Sequence, residues 1–439
     1  MSPTSYHTEH VLLIVIVQLI VIVVASRLFG LLFRRLGQPL VCGEIAAGLI
    51  LGPSFLGGMF PQVFHNIFDP SVGQIFSIVS QIGLILLMFL IGLEFDFGHL
   101  RENRQTAISI SVAGIVLPFG LGLLLGRWMH GALGLSGGWL NFSLFIATAM
   151  SITAIPILGR IMTELNINRT RIGSLTISAA AVDDATGWIL LALVTAIARS
   201  TLDPVKLGLM VLETVSFAAI TVWLVRPLVT KWAAHHIRKH QGRLSLGGLA
   251  FLLILIFLAA LITNLIGIFS IFGAFFLGAI LYDQRELREA VQERMRDFVT
   301  VFFLPIFFTY TGLRTDIGTM ASGSLWTMCG LVLLAAFIGK FGGCSLAARF
   351  NGLPWREASM IGVMMNTRAL MELIVINIGF DLGVIPRSVF FMLVLMAVAS
   401  TFITAPLLRR LARSGELAPD YLSSEFARSV ELAAIREKA

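Results

Sequence analysis

Residues 172–198 read IGSLTISAAAVDDATGWILLALVTAIA, an apolar stretch with Asp183 and Asp184 side by side near its middle. The stretch exceeds the ~20 residues a helix needs to cross the hydrocarbon core of a bilayer. An aspartate at that depth costs roughly 2.5–3.5 kcal/mol on insertion scales. Two adjacent carboxylates there point to an ion or proton site inside a membrane protein.

The rest of the chain fits this setting. Of 439 residues, 57% are hydrophobic and 13% charged, against roughly 25% charged in an average soluble domain. About thirteen hydrophobic segments approach spanning length. They centre on residues 11–33, 40–52, 72–94, 106–126, 140–164, 172–198, 207–229, 246–264, 266–282, 298–313, 324–348, 358–379 and 388–408. The eighth and ninth nearly merge around Asn264–Gly267. The expected fold is an all-α polytopic membrane protein.

The net charge of +7 does not indicate nucleic acid, because the cations gather between apolar runs. Alternate loops hold Arg34, Arg35, Arg101, Arg104, Arg169, Arg171, the run Lys231–Arg243, Arg285–Arg296, Arg349 and Arg356. The opposite loops hold only Arg127, Arg199, Lys206, Arg314 and Arg387. The positive-inside rule then puts the N-terminus outside and the C-terminus in the cytoplasm, in a cell inner (plasma) membrane. Residues 411–439 read as a short cytoplasmic tail, too small for a nucleotide-binding domain.

Cys42, Cys329 and Cys344 lack metal or disulfide spacing and read as small buried thiols. No Ser/His/Asp spacing suggests an enzyme, and no Gly-rich phosphate loop suggests a soluble cofactor. His99, His235, His236 and His240 fall in or beside cytoplasmic loops and read as solvated.

Three further interruptions of apolar segments concern the aspartates. Lys340, in AAFIGKFGG (residues 335–343), lies too deep to snorkel, and a buried ammonium needs an anion. Neighbouring helical residues project about 100° apart. One aspartate can therefore pair with Lys340 while the other faces a water-filled cavity. In the fifth segment, Ser151-Ile152-Thr153-Ala154-Ile155-Pro156 places hydroxyls at a break, because Pro156 has no N–H for the carbonyl of Ile152. In the twelfth, Asn366, Thr367, Arg368 and Glu372 form a second polar interruption. Arg368 and Glu372, four apart, share a face and can pair. Paired interruptions in an early and a late segment indicate an inverted-repeat transporter. Pro118, Pro305 and Pro406 read as simple kinks.

Five stretches, GEIAAGLILGP (residues 43–53), QIGLILLMFLIGLEFD (81–96), AAAVDDATGWILLA (179–192), FLPIFFTYTGLRTD (303–316) and NTRALMELIVINIG (366–379), occur in this order along the chain. On them the chain resembles the second branch of the monovalent cation:proton antiporters, which includes bacterial sodium/proton and potassium/proton exchangers and plant cation/proton exchangers. It implies two inverted repeats with two crossed, unwound helices. It implies a core over 104–200 and 323–410, a dimer and gate scaffold over 11–100 and 246–316, and a linker helix over 206–231. By the resemblance Asp184 carries the ion or proton, Asp183 pairs with Lys340, and Thr153 sits at the crossover. Asp-Asp members of this family are associated with electrogenic exchange. Ala369 stands where relatives commonly have Gly, which would stiffen that break.

The expectation is a homodimeric antiporter exchanging protons for Na⁺ or K⁺, with the monovalent cation at Asp184 and oxygens of Ser151 and Thr153 completing its shell. The alternatives are a same-fold transporter of another solute, or a cation channel.

Overall fold

The structure, a computed structural model, describes residues 3–36, 38, 40–68, 73–94, 104–164, 167, 170–199 and 204–412. His99 and residues 413–439 of the tail lie outside them. All regular structure among the described residues is helical.

Among the described residues, ten helices are long and apolar enough to cross a membrane. An eleventh span is the pair Trp355–Met365 and Leu370–Asp381, bent by 43° at its break. Two of the thirteen expected segments are shorter than a full span among the described residues. The fifth segment is broken, leaving Trp139–Ser151 as its apolar half, and the ninth is only Ser270–Ala279. The near-merger of the eighth and ninth segments resolves at Gly267, which caps Leu246–Ile266 in the left-handed region, with φ of 102°. A glycine suits that backbone because it has no Cβ to clash. The chain is a multi-pass membrane protein.

The described residues divide into two compact units. The first comprises Met1–Arg27, Ala47–Asp96 and Thr195–Arg314. Its hydrophobic core contains Ile22, Leu51, Phe68, Phe76 and Ile306. Two of its helices touch at Gly278, where a Cβ would lie 2.3 Å from the carbonyl oxygen of Phe89. Its charged pairs lie toward solvent, as in Arg226–Asp283 and Arg285–Glu289. At the end of Arg226–Lys239, His236 is not simply solvated. Its ring stacks on Trp232 and on His240, and its Nε2 lies 3.1 Å from the Ser245 hydroxyl.

The second unit comprises Leu28–Ala46, Phe97–Val194 and Thr315–Ala439. It repeats one order of elements twice: a long helix, a broken helix, another long helix. The first set is Arg104–Ala132, then Trp139–Ser151 with Ile155–Glu164, then Arg171–Arg199. The second is Gly323–Phe350 with an internal π turn, then Trp355–Met365 with Leu370–Asp381, then Arg387–Ala412. Pro118 and Pro406 lie inside their helices, whereas Pro305 opens Leu304–Leu313 after a π turn in the first unit.

Candidate ion site at two broken helices

Breaking a helix frees backbone groups that the bilayer interior cannot satisfy with water. In a continuous helix the carbonyls of Ala149 and Met150 would accept from the N–H groups of Thr153 and Ala154. Here Ile152–Ala154 are unwound, and these two N–H groups have other partners. Thr153 N–H donates to Asp183 Oδ2 at 2.8 Å. Ala154 N–H donates to the Thr367 carbonyl at 3.0 Å.

The stranded carbonyls are taken by cations. Arg368 donates through Nη1 to Ala149 O (3.0 Å) and through Nη2 to Met150 O (2.7 Å) and Ala336 O (3.2 Å). Lys340 Nζ donates to the Ser151 carbonyl. Both charges meet the negative end of the helix dipole, where a cation is favoured.

The second break is held in the same way. Thr153 Oγ1 donates to Met365 O at 2.9 Å, at the end of Trp355–Met365. Thr401, on the last long helix, accepts from Arg368 N–H at 3.1 Å and donates to Arg368 O at 2.7 Å. Ala369 has φ of 131°, a conformation that L residues rarely adopt. The expected stiffening at this alanine is therefore also backbone strain. A glycine would take the conformation freely.

Lys340 meets Asp183 through both carboxylate oxygens, each at 2.9 Å, and both side chains are fully buried. Lys340 lies within a single π turn, Ile338–Gly342. Such turns change the direction of side chains in a helix and are frequent at functional sites. Beside it, Gly343 lets the helix approach Arg104–Ala132, because a Cβ there would stand 2.6 Å from Ala113 O.

Asp184 is 1% exposed and its Oδ1 has no hydrogen-bond partner among the described residues. Ser151 makes contacts through both its hydroxyl and its carbonyl. Its hydroxyl donates to Ala147 O at 2.6 Å within its own helix, and its carbonyl meets Lys340. The hydrogen of the Thr153 hydroxyl is likewise committed, to Met365 O.

Arg368 and Glu372 are both buried but only loosely paired, at 3.8 Å. Among the described residues, neither Glu372 oxygen accepts a hydrogen bond, and Asn366 Oδ1, Asn366 Nδ2 and Thr367 Oγ1 are also buried without partners. The structure thus brings Ser151, Thr153, Asp183, Lys340 and Arg368 into one hydrogen-bonded network, with Asp184 next to it in sequence. Thr401 belongs to that network, and the sequence reading overlooked it. The cluster Ser400-Thr401 and Thr404 in an otherwise apolar helix was the available signal. No cluster of His, Cys, Asp and Glu suited to a metal occurs among the described residues.

Sequence and fold were compared with those of known proteins. The Na(+)/H(+) antiporter NhaS4 of Synechocystis is 41% identical over 90% of this chain and 96% of its own length. The K(+)/H(+) antiporter 1 of Saccharomyces cerevisiae is 32% identical over 92% of this chain. This chain spans only about half of that yeast protein, 47% of its length. The fold matches the sodium proton antiporter MjNhaP1 of Methanocaldococcus jannaschii with a TM-score of 0.63 at 16% identity, over 94% of this chain and 100% of that one. Residues 20–413 match the model of the transmembrane sodium/hydrogen exchanger family, and the chain belongs to that family.

Proposed function

We propose that this chain is a secondary active antiporter that exchanges protons for Na⁺ or K⁺, with Asp184 as the residue for which proton and cation compete. The observation that carries this reading is the difference between the two adjacent carboxylates. Asp183 is neutralised by Lys340 at two 2.9 Å contacts, while Asp184 is buried with an oxygen left unpartnered. A free buried carboxylate beside unwound backbone has the oxygen chemistry that binds a dehydrated monovalent cation. Relatives named as Na(+)/H(+) and K(+)/H(+) antiporters support the substrate class. The family relationship supports reading it as a carrier.

Competition enforces exchange when the site changes sides only while loaded. Asp184 gives up its proton as the cation enters, and regains one as the cation leaves. Because Asp184 is buried, access has to alternate by movement of the protein. The unit that holds 104–194 and 323–410 carries every residue of the site, which supports giving it the mobile role. The other unit then acts as scaffold for a homodimer. The loop charges support a cytoplasmic C-terminus in a cell inner membrane. The exchange is electrogenic, with more than one proton moved per cation.

The test is cation-driven proton flux in vesicles reconstituted with the purified chain, adding Na⁺, K⁺, Li⁺ and Rb⁺ in turn. At least one of them drives flux in the native protein, and Asp184→Asn abolishes it. Full flux through Asp184→Asn removes Asp184 from the mechanism.

A further inference from the structure

Among the described residues of the site-bearing unit, the charged groups no more than 1% exposed do not cancel. Asp183, Asp184 and Glu372 stand against Lys340 and Arg368, and none of the five is more than 1% exposed. With all five ionised the sum is one negative charge. A single proton or a single monovalent cation on Asp184 brings it to zero. Exchange at Asp184 alone would therefore replace one positive charge by another and move no net charge. An electrogenic cycle needs a second proton, and the structure offers two places for it.

Lys340 is the poorer one. Its ammonium is held by both oxygens of Asp183 and by the Ser151 carbonyl. Losing its proton would leave Asp183 as an uncompensated buried charge, at high cost. Arg368 does not deprotonate in proteins.

Glu372 has no such commitments. It sits in the first turn of Leu370–Asp381, directly after the break. Neither of its oxygens accepts a hydrogen bond among the described residues. The cations acting on it are Arg368 and Lys340. Lys340 is engaged by Asp183, and Arg368 stands at 3.8 Å from Oε1, beyond hydrogen-bond length. The terminal nitrogens of Arg368 donate to Ala149, Met150 and Ala336 carbonyls instead. An ionised carboxylate so placed bears its desolvation cost with no donor to offset it. A proton removes that charge, and a small movement of Arg368 toward Glu372 would let the proton leave.

We propose that Glu372 is a second proton-binding residue of the transport cycle, so that each cation exchanges for two protons, one on Asp184 and one on Glu372. The inference rests on the antiporter reading above. In the proton-loaded form Asp184 and Glu372 are both neutral, and the five groups sum to plus one. Cation entry displaces the proton of Asp184, and the proton of Glu372 leaves to the same side. Glu372 then pairs with Arg368, and the cation-loaded form sums to zero. Lys340 keeps its proton throughout. One net positive charge accompanies the protons in each turnover.

The test is the reversal potential of exchange in proteoliposomes, with the cation gradient fixed and the pH gradient and clamped voltage varied until flux stops. The native chain gives a ratio of two protons per cation, and Glu372→Gln gives one, with voltage dependence lost. A native ratio of one overturns the proposal. So does a ratio of two in Glu372→Gln, which would assign the second proton to Lys340. If no cation drives flux in the native chain, the antiporter reading falls as well, whereas an unchanged ratio in Glu372→Gln removes this inference alone. Infrared difference spectra of the native chain with ¹³C-labelled glutamate need no variant at position 372. Adding the transported cation removes a protonated-carboxyl band that shifts with the label and persists in Glu44→Gln, a control for the other buried glutamate. Absence of such a glutamate band overturns the proposal even where Glu372→Gln does not fold.

Discussion

Two ion pairs of equal length lie in opposite surroundings. Lys340–Asp183, in the site-bearing unit, measures 2.9 Å with both side chains at 0% exposure. Arg285–Glu289, in the other unit, also measures 2.9 Å, with side chains 80% and 60% exposed. Distance alone would rank them together. In water the attraction is weak and the separated ions are well solvated, so an exposed pair contributes little. In the protein interior neither ion has water to return to, so each depends on the other. The buried pair is thus a poor source of net stability and a strict constraint on composition. That is the property a transport site uses, because any change in the charge of one member has to be balanced nearby.

The sharpest way to break this comparison is to remove one member of the buried pair. Lys340→Met leaves Asp183 uncompensated and should cost about 3–5 kcal/mol, read as a large fall in the thermal midpoint in detergent. The double variant Lys340→Met with Asp183→Leu should recover most of that loss, since apolar replacement of a whole buried pair is often neutral or better. It should still show no cation-driven proton flux. A double variant as unstable as the single one would mean that the pair holds the fold directly.

Next in size is Thr401→Ala. Its hydroxyl accepts from Arg368 N–H and donates to Arg368 O, both at the break. Removing it strands two buried backbone groups, at about 1–3 kcal/mol. The same assay measures it, and transport should slow in parallel because Arg368 organises the end of the first broken helix.

Ala369→Gly should act in the opposite direction. A non-glycine residue in a sparsely populated backbone region costs about 1–3 kcal/mol, while glycine in place of alanine gives back roughly 0.5–1 kcal/mol through the flexible unfolded chain. The expected balance is a gain of about 1 kcal/mol, seen as a higher thermal midpoint. A lower midpoint would mean that the Ala369 methyl packs well enough to outweigh its φ of 131°.

These residues also mark where the sequence was informative. Asp183, Asp184 and Lys340 were legible because a charge within an apolar run is costly and so conspicuous. The breaks were legible for a similar reason, Pro156 removing a donor and Asn366-Thr367-Arg368 interrupting a hydrophobic segment. Ala369 was not legible as strain, because alanine gives no sign of a positive φ. Thr401 was hidden because a threonine in an apolar helix ordinarily bonds its own backbone, as Thr404 does to Ser400 O. Hydropathy counts apolar residues and does not register where a helix stops, so the sequence could not show that the fifth segment is broken and the ninth short. The Arg368–Glu372 spacing indicated a pair, yet the carbonyls freed by the other broken helix compete for the same guanidinium, and no local pattern could show that.

The smallest effect comes from the exposed pair. Glu289→Ala should change stability by less than about 0.5 kcal/mol. The order of the pair makes it weaker still. Arg285 is the first residue of its helix and Glu289 lies one turn later. Acid before base is the better arrangement for an i,i+4 pair, because the helix N-terminus repels a cation. Raising the salt to about 1 M, where the Debye length falls to roughly 3 Å, should erase whatever difference remains between native chain and variant. The same salt should leave the loss in Lys340→Met nearly unchanged, because ions in solution do not reach a fully buried pair. A Glu289→Ala cost comparable to that of Lys340→Met, or a Lys340→Met cost that salt removes, would show that burial is not what separates the two pairs.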